Sequence, residues 1–180
     1  MIPANCEKVV LPDALALARP ENPLERLAKN APAVALMMDF RRERASVVDP
    51  GQHIDAALRE MILAGVRALV VVADDQAVLG LITASDILGP RPVQFLQNPL
   101  CDSTPCRHTD VHVGDIITDW ANLRLLDFAW VSTSTCGDMM TVFADTEASH
   151  LLVFEREGRG LPVVRGLISR TRLLRQLAPP

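Results

Sequence analysis

The sequence predicts an α/β (α+β) fold made from two copies of one β-α-β-β-α unit. Three observations carry this. The stretch Ala68 to Leu88, ALVVVADDQAVLGLITASDIL, reads as strand, tight turn, strand and helix start. The same pattern returns between Leu151 and Leu177, where GLISRTRLL aligns with GLITASDIL and Gly166 takes the place of Gly80. Such internal repetition outranks any single local signal. The composition, 49% hydrophobic and 22% charged over 180 residues, is that of a globular chain with room for one ordinary domain or two small ones sharing a core.

Each element follows from its residues. Leu69 to Val72 is an apolar, β-branched run bounded by acids, and Asp74-Asp75-Gln76 supplies the turn. Val78 to Ile82 is the second run. Gly80 inside it marks a place where another backbone or a ligand comes close. Thr83 is spaced to cap the next helix, with Asp86 in the acidic slot of a capping box, and the free N–H groups of that helix start form a candidate anion site. Upstream, Ala33 to Phe40 is apolar and Ala45 to Val48 reads as a short strand closed by Asp49-Pro50-Gly51. Ile54, Ala57, Leu58, Met61 and Ile62 fall on one face of a helix that Gly65 is placed to end. Gly89-Pro90 stops the helix after Thr83, and Pro92 is expected to keep the chain extended. In the second half VGDIIT, Val113 to Thr118, mirrors the entry to the first. Trp120 to Val131 should hold a short strand. Ser132 to Thr135 offers N-caps for a helix with Cys136, Met139, Met140 and Phe143 on one face. The boundaries read as an arm at 1–34, repeat 1 at 35–96, a linker at 97–112 and repeat 2 at 113–180.

The motif G-apolar-x-Thr/Ser-x-x-Asp, closing a unit that occurs twice, resembles a tandem pair of CBS domains, the family named for cystathionine β-synthase, here in a stand-alone, bacterial-type form. The likeness spans about Ala35 to Leu177. The Gly80 to Asp86 copy fits the motif fully, and the Gly166 copy departs from it at Arg172. The proline that many members carry in the second strand is replaced by Val70 and Leu152. The resemblance implies two sheets packed face to face as a pseudo-twofold pair, with two related clefts between the repeats. Each half, about 60 residues, is near the lower size limit for an independent core. It also implies a regulatory module that binds an adenosine-containing nucleotide (AMP, ADP, ATP or S-adenosylmethionine). The ligand-binding positions would be Gly80, Ile82, Thr83, Ser85 and Asp86, with Asp86 accepting hydrogen bonds from ribose hydroxyls.

Plainer readings stand beside these. Thr83 and Asp86 also suffice as a purely structural cap, and the chain then becomes a ligand-free interaction or dimerisation module. Ser169, Arg170 and Arg172 form a second candidate anion site, against the reading that both arginines reach solvent or a nearby acid. Arg172 cannot accept a hydrogen bond from a ribose, so the second cleft should bind nucleoside weakly or not at all. Cys101, Cys106, His108 and His112 could suggest zinc or a zinc-linked redox sensor. A single residue between Cys106 and His108 leaves no room for the usual intervening element, so the expectation is no metal and no cofactor. His53, at a helix start, and His150, before a strand, read as structural. No phosphate-loop, dinucleotide-binding, nucleophile-elbow or metalloprotease motif occurs, so no catalysis is expected. A net charge of −4 and 4% aromatics without Tyr disfavour nucleic acid and anionic membrane as partners. Nothing resembles a signal peptide, a membrane span or a disulfide framework, so the expected location is cytoplasmic. A homodimer is expected, covering apolar faces at Met61 and Met139, with an effector protein left unidentified.

Overall fold

The computed structural model describes residues 26–74, 77–97, 107–156, 158 and 160–177. Most of the expected arm, the turn residues Asp75 and Gln76, and both Cys101 and Cys106 lie outside these. The chain enters through a 3-10 turn at Ala33–Leu36 and β1 (Met37–Asp39), followed by β2 (Val47–Val48) and α1 (Ile54–Ala64). Ile54, Ala57 and Met61 are buried, and Gly65 ends the helix in the left-handed region at φ 66°. β3 (Ala68–Val72) and β4 (Val78–Thr83) form the expected hairpin, closed by the amide of Ala73 donating to Ala77 at 2.9 Å. Their side chains alternate. Leu69, Val71 and Ile82 face the helices, while Ala68, Val70 and Leu81 face the other sheet.

After α2 (Ala84–Leu88) the structure departs from the sequence expectation. Pro92 does not keep the chain extended. It lies in the first turn of α3 (Arg91–Leu96), where a missing N–H costs nothing and a fixed φ helps. α4 (Val113–Ile116) and β5 (Thr118–Asp119) repeat the entry pattern of the 3-10 turn and β1. β6 (Leu125–Asp127) is the expected short strand, but α5 (Phe128–Thr133) follows it directly, because Asp127 caps that helix through the amide of Ala129 at 2.8 Å. α6 (Cys136–Ala144) starts at Thr135 with a capping box to Asp138, and β7 (His150–Glu155), β8 (Val163–Ser169) and α7 (Arg170–Leu177) complete the second unit.

Two four-stranded sheets result, in the orders β2-β3-β4-β5 and β1-β8-β7-β6. Each sheet borrows its edge strand from the other half. β5 pairs antiparallel with β4, Gly80 opposite Asp119, and β1 pairs antiparallel with β8, Gly166 opposite Asp39. The paired glycines are explained by this exchange. A Cβ on Gly80 would run into the carbonyl oxygen of Thr118, and one on Gly166 into that of Met38. The sheets meet face to face over Val70, Leu81 and Leu152, with Phe40, Leu123 and Leu167 around them. A helical layer covers each outer face. The family-resemblance proline positions, Val70 and Leu152, are thus central to the inter-sheet core, at 4% and 1% exposure.

Met61 and Met139 are not exposed as expected but 1% and 0% accessible. The crossing entry segments cover these faces, Val111, Val113 and Ile116 packing in one helical layer and Ala33 and Leu36 in the other. The apolar surface that α1 does present is Ile62 and Leu63. That removes the stated reason for a dimer through the methionine faces.

An ion cluster clamps β1 to β8. The Arg165 guanidinium donates to both oxygens of Asp39, at 2.8 and 2.9 Å, and to Glu155 at 2.8 Å, while lying 4.5 Å over the Phe128 ring. Hydrogen bonding to Arg165 holds both carboxyls below their usual range.

Gly80→Ala should lower the unfolding free energy by ~1–3 kcal/mol, the usual cost of forced overpacking. It should appear as a lower urea midpoint at unchanged slope. An unaltered midpoint would show that β5 does not need the close approach.

The ion cluster generates a second expectation. A carboxyl whose folded pKa is depressed contributes fully above its unfolded value, near ~4, and loses that contribution as pH falls through the folded value. Stability should therefore decline below about pH 4. Arg165→Met should be less stable at neutral pH and show a shallower acid decline. Equal acid limbs in both proteins would remove the clamp from this account.

Candidate functional site

The first cleft is built on the end of β4. Thr83 leaves the strand in extended conformation and caps α2, with its hydroxyl accepting from the Asp86 amide at 3.3 Å. Asp86 Oδ2 accepts in return from the Thr83 amide at 2.8 Å and the Thr83 hydroxyl at 2.7 Å. One carboxylate oxygen is thus fixed by the cap. The other, Oδ1, lies 3.2 Å from Arg91. Arg91 is itself held by the Ile116 carbonyl at 2.8 Å and the Thr118 hydroxyl at 2.9 Å. This arginine carries no local mark in the sequence, because the groups that hold it on β5 and before it are 25 and 27 residues away.

Across the cleft stand Arg124, anchored to the Asp145 carbonyl at 3.2 Å, and the segment from Thr146 to His150. The cavity between has a volume of about 450 Å³, within the range of small-molecule sites, and Ser85 is at its exposed side. Two expected site residues are elsewhere. Ile82 is fully buried on the helix-facing side of the sheet, since alternate residues point to opposite faces, and Leu81 lines the cavity instead. Gly80 is spent on the contact with β5. The anion site at the helix start is also corrected. α2 has only 5 residues, the Asp86 amide is taken by Thr83, and the Ala84 amide donates to the Arg67 carbonyl at 2.9 Å.

The second cleft is the pseudo-symmetric counterpart on β8 and α7, with a cavity of about 380 Å³. Ser169 caps α7, its hydroxyl accepting from the Arg172 amide at 3.4 Å. Arg170 does not join the expected anion site. Its guanidinium turns the other way, donates to the carbonyls of Thr146 and Ala148, and stacks over Phe143 at 5.2 Å. Arg172 is joined instead by Arg67 and Arg175, and no carboxylate side chain is among the described lining residues. Met38, Phe40, Val66 and Leu167 make the apolar part of the wall. Gln176 also lines it, and its side-chain oxygen is buried without a partner among the described residues.

His150 borders both cavities. Burial pushes its imidazole toward the neutral form, the Asp86 charge pulls it back, and Arg67 adds to the burial effect. The other histidines line neither cavity. His53 and His112 stack at 4.4 Å between ring centroids, and His108 is 3.6 Å from Asp55. Among the described residues, no group of three His, Cys, Asp or Glu side chains is arranged to hold a metal. No described helix is long and apolar enough to cross a membrane.

With this geometry in view, residues 38–89 match the model of the CBS domain family. Over those residues the chain is similar to a CBS domain. The match covers β1 through the capped α2, the segment that carries Thr83 and Asp86. Solved structures extend the likeness over most of the chain and show the fold of a CBS pair. A conserved protein from Pyrococcus horikoshii is 24% identical with a TM-score of 0.56, covering 83% of this chain and 93% of that one. CBSX2 in complex with AMP is 21% identical with a TM-score of 0.56, covering 81% of this chain and 94% of that one; CBSX2 is a CBS-pair protein from Arabidopsis thaliana. A CBS-domain protein from Agrobacterium tumefaciens is 20% identical with a TM-score of 0.54, covering 76% and 88%. No curated protein matches the sequence.

Proposed function

We propose that this CBS-domain regulatory module binds an adenosine-containing nucleotide, AMP, ADP, ATP or S-adenosylmethionine, in the Thr83–Asp86 cleft. The observation that carries the reading is the disposition of Asp86. The cap immobilises one of its oxygens and leaves the other, beside Arg91, for the hydroxyls of a ribose. Arg91 and Arg124 line the same cavity and suit a phosphate. That CBSX2 has been seen with AMP supports the choice of ligand class. The second cleft replaces the acceptor by Arg172 and gathers Arg67 and Arg175 around it, so it suits an anion and not a ribose.

Asp86→Ala should weaken nucleotide binding by ~1.5–3 kcal/mol, the worth of hydrogen bonds to a charged group, or about one to two decades in affinity. Calorimetry reads this directly, and circular dichroism checks that the weakened cap leaves the fold intact. Asp86→Asn, which keeps one acceptor and the shape, should lose less. Unchanged binding in a folded Asp86→Ala protein would remove the site. If none of the four nucleotides raises the melting temperature at millimolar concentration, the capping box is structural and the module acts through protein contacts alone. A ligand at 100-fold its dissociation constant adds ~2.7 kcal/mol, too large an effect to miss.

Arg172→Asp completes the motif in the second repeat. It should create a second nucleotide site, raising the calorimetric stoichiometry from about one to about two per chain. A stoichiometry that stays at one would show that the missing acid is not what excludes ribose there.

A further inference from the structure

His150 is the one described residue that lines both clefts. It opens β7 opposite Ser169, the position that Ala68 holds opposite Thr83 in the first half. The pseudo-symmetric frame thus carries a titratable ring at one of two equivalent places. The Nδ1 of the ring lies 2.9 Å from the Ser149 hydroxyl, which leaves Nε2 uncommitted by any hydrogen bond among the described residues. Charged groups share both of its cavities. Asp86 acts on it from α2, and Arg67 from the turn before β3. Arg172 and Arg175 of α7 share one cavity with it, and Arg91, Arg124 and Glu147 share the other.

The balance among these groups explains why an anion would matter. Burial and Arg67 favour the neutral imidazole, and Asp86 opposes them. An anion between Arg67, Arg172 and Arg175 would offset the Arg67 charge and place its own negative charge beside the ring. Both effects favour the imidazolium, and the protonated ring gains a second N–H donor.

We propose that His150 is an anion contact shared by the two clefts, taking up a proton when an anion occupies the Arg67–Arg172–Arg175 cleft, with Asp86 on the far side setting the pH at which it does so. The anion chemistry of that cleft deepens the reading given above for the pair of sites, but the step at His150 does not require that a nucleotide bind at Asp86.

Inorganic sulfate is the probe, because it remains a dianion throughout the pH range in which histidine titrates. Sulfate affinity of the full chain, followed by NMR, should be about fivefold or more tighter at pH 5.5 than at pH 7.5, a coupling of ordinary size for linked sites. The imidazole resonance that disappears in His150→Ala should titrate at higher pH when sulfate is present. His150→Ala places alanine where the first repeat already has one, so the fold should tolerate it; sulfate should then bind with the same affinity at both pH values. Arg172→Asp should abolish the binding. Asp86→Asn should move the pH midpoint of sulfate affinity downward, because it removes the charge that favours the imidazolium. A wild-type affinity independent of pH, a pH dependence that survives in His150→Ala, or sulfate bound equally well by Arg172→Asp would each overturn the proposal. A midpoint unmoved in Asp86→Asn would overturn the sharing between clefts. Failure of every nucleotide to bind while the sulfate results hold would defeat only the nucleotide reading.

Discussion

Two hydrogen atoms, standing where Gly80 and Gly166 have no side chain, allow the backbones of β5 and β1 to lie against β4 and β8. The rest of the architecture depends on this approach. Without it each sheet would lose its borrowed edge strand, and the apolar entry segments that precede those strands would not reach the opposite helical layer. Val111, Val113 and Ile116 would leave α1 uncovered, and Ala33 and Leu36 would leave α6 uncovered. A strand exchanged by only two or three residues has few hydrogen bonds to hold it. The Arg165 clamp on Asp39 and Glu155 secures one exchange, and the Arg91 contacts with Ile116 and Thr118 secure the other.

That second anchor ties architecture to the first cleft. Arg91 holds the exchanged β5 and at the same time pairs with the Asp86 oxygen that the cap does not use. The pseudo-symmetric frame supplies two similar clefts, and single residues make them chemically unlike. Thr83 and Ser169 both cap a helix through a hydroxyl, so the geometry is kept. Asp86 against Arg172 inverts the charge three residues on, and Ala68 against His150 gives one side a titratable wall. The repeat fixes where the clefts lie, and single residues set the charge of each.

The repeat, the four principal strands, both long helices and the capping box were legible in the sequence, because each is written in a local pattern: period two, period 3.6, or fixed spacing from a cap. Gly80 also declared a close contact, though not with what. Pro92 opens a helix and Ile82 follows the strand alternation, both local effects, whereas burial of the Met61 and Met139 faces is decided by chain arriving from elsewhere. The same holds for Arg67, Arg91, Arg124 and Arg175. An arginine in a sequence carries no mark of whether it faces water or a cavity. Arg170, which looked like part of an anion site from its place beside Ser169, is committed to backbone carbonyls across the fold.

The reciprocal loan of edge strands also governs what a broken chain would be. If the backbone were cut between Gln97 and Arg107, the amino-terminal fragment would keep β2, β3 and β4 but carry β1 as an orphan, and the carboxy-terminal fragment would carry β5 in the same condition. Neither fragment could close its own sheet, and each holds the piece the other lacks. The two halves are therefore complementary parts and not separable domains, and a nicked molecule would remain one particle, reassembling only when both pieces are present together.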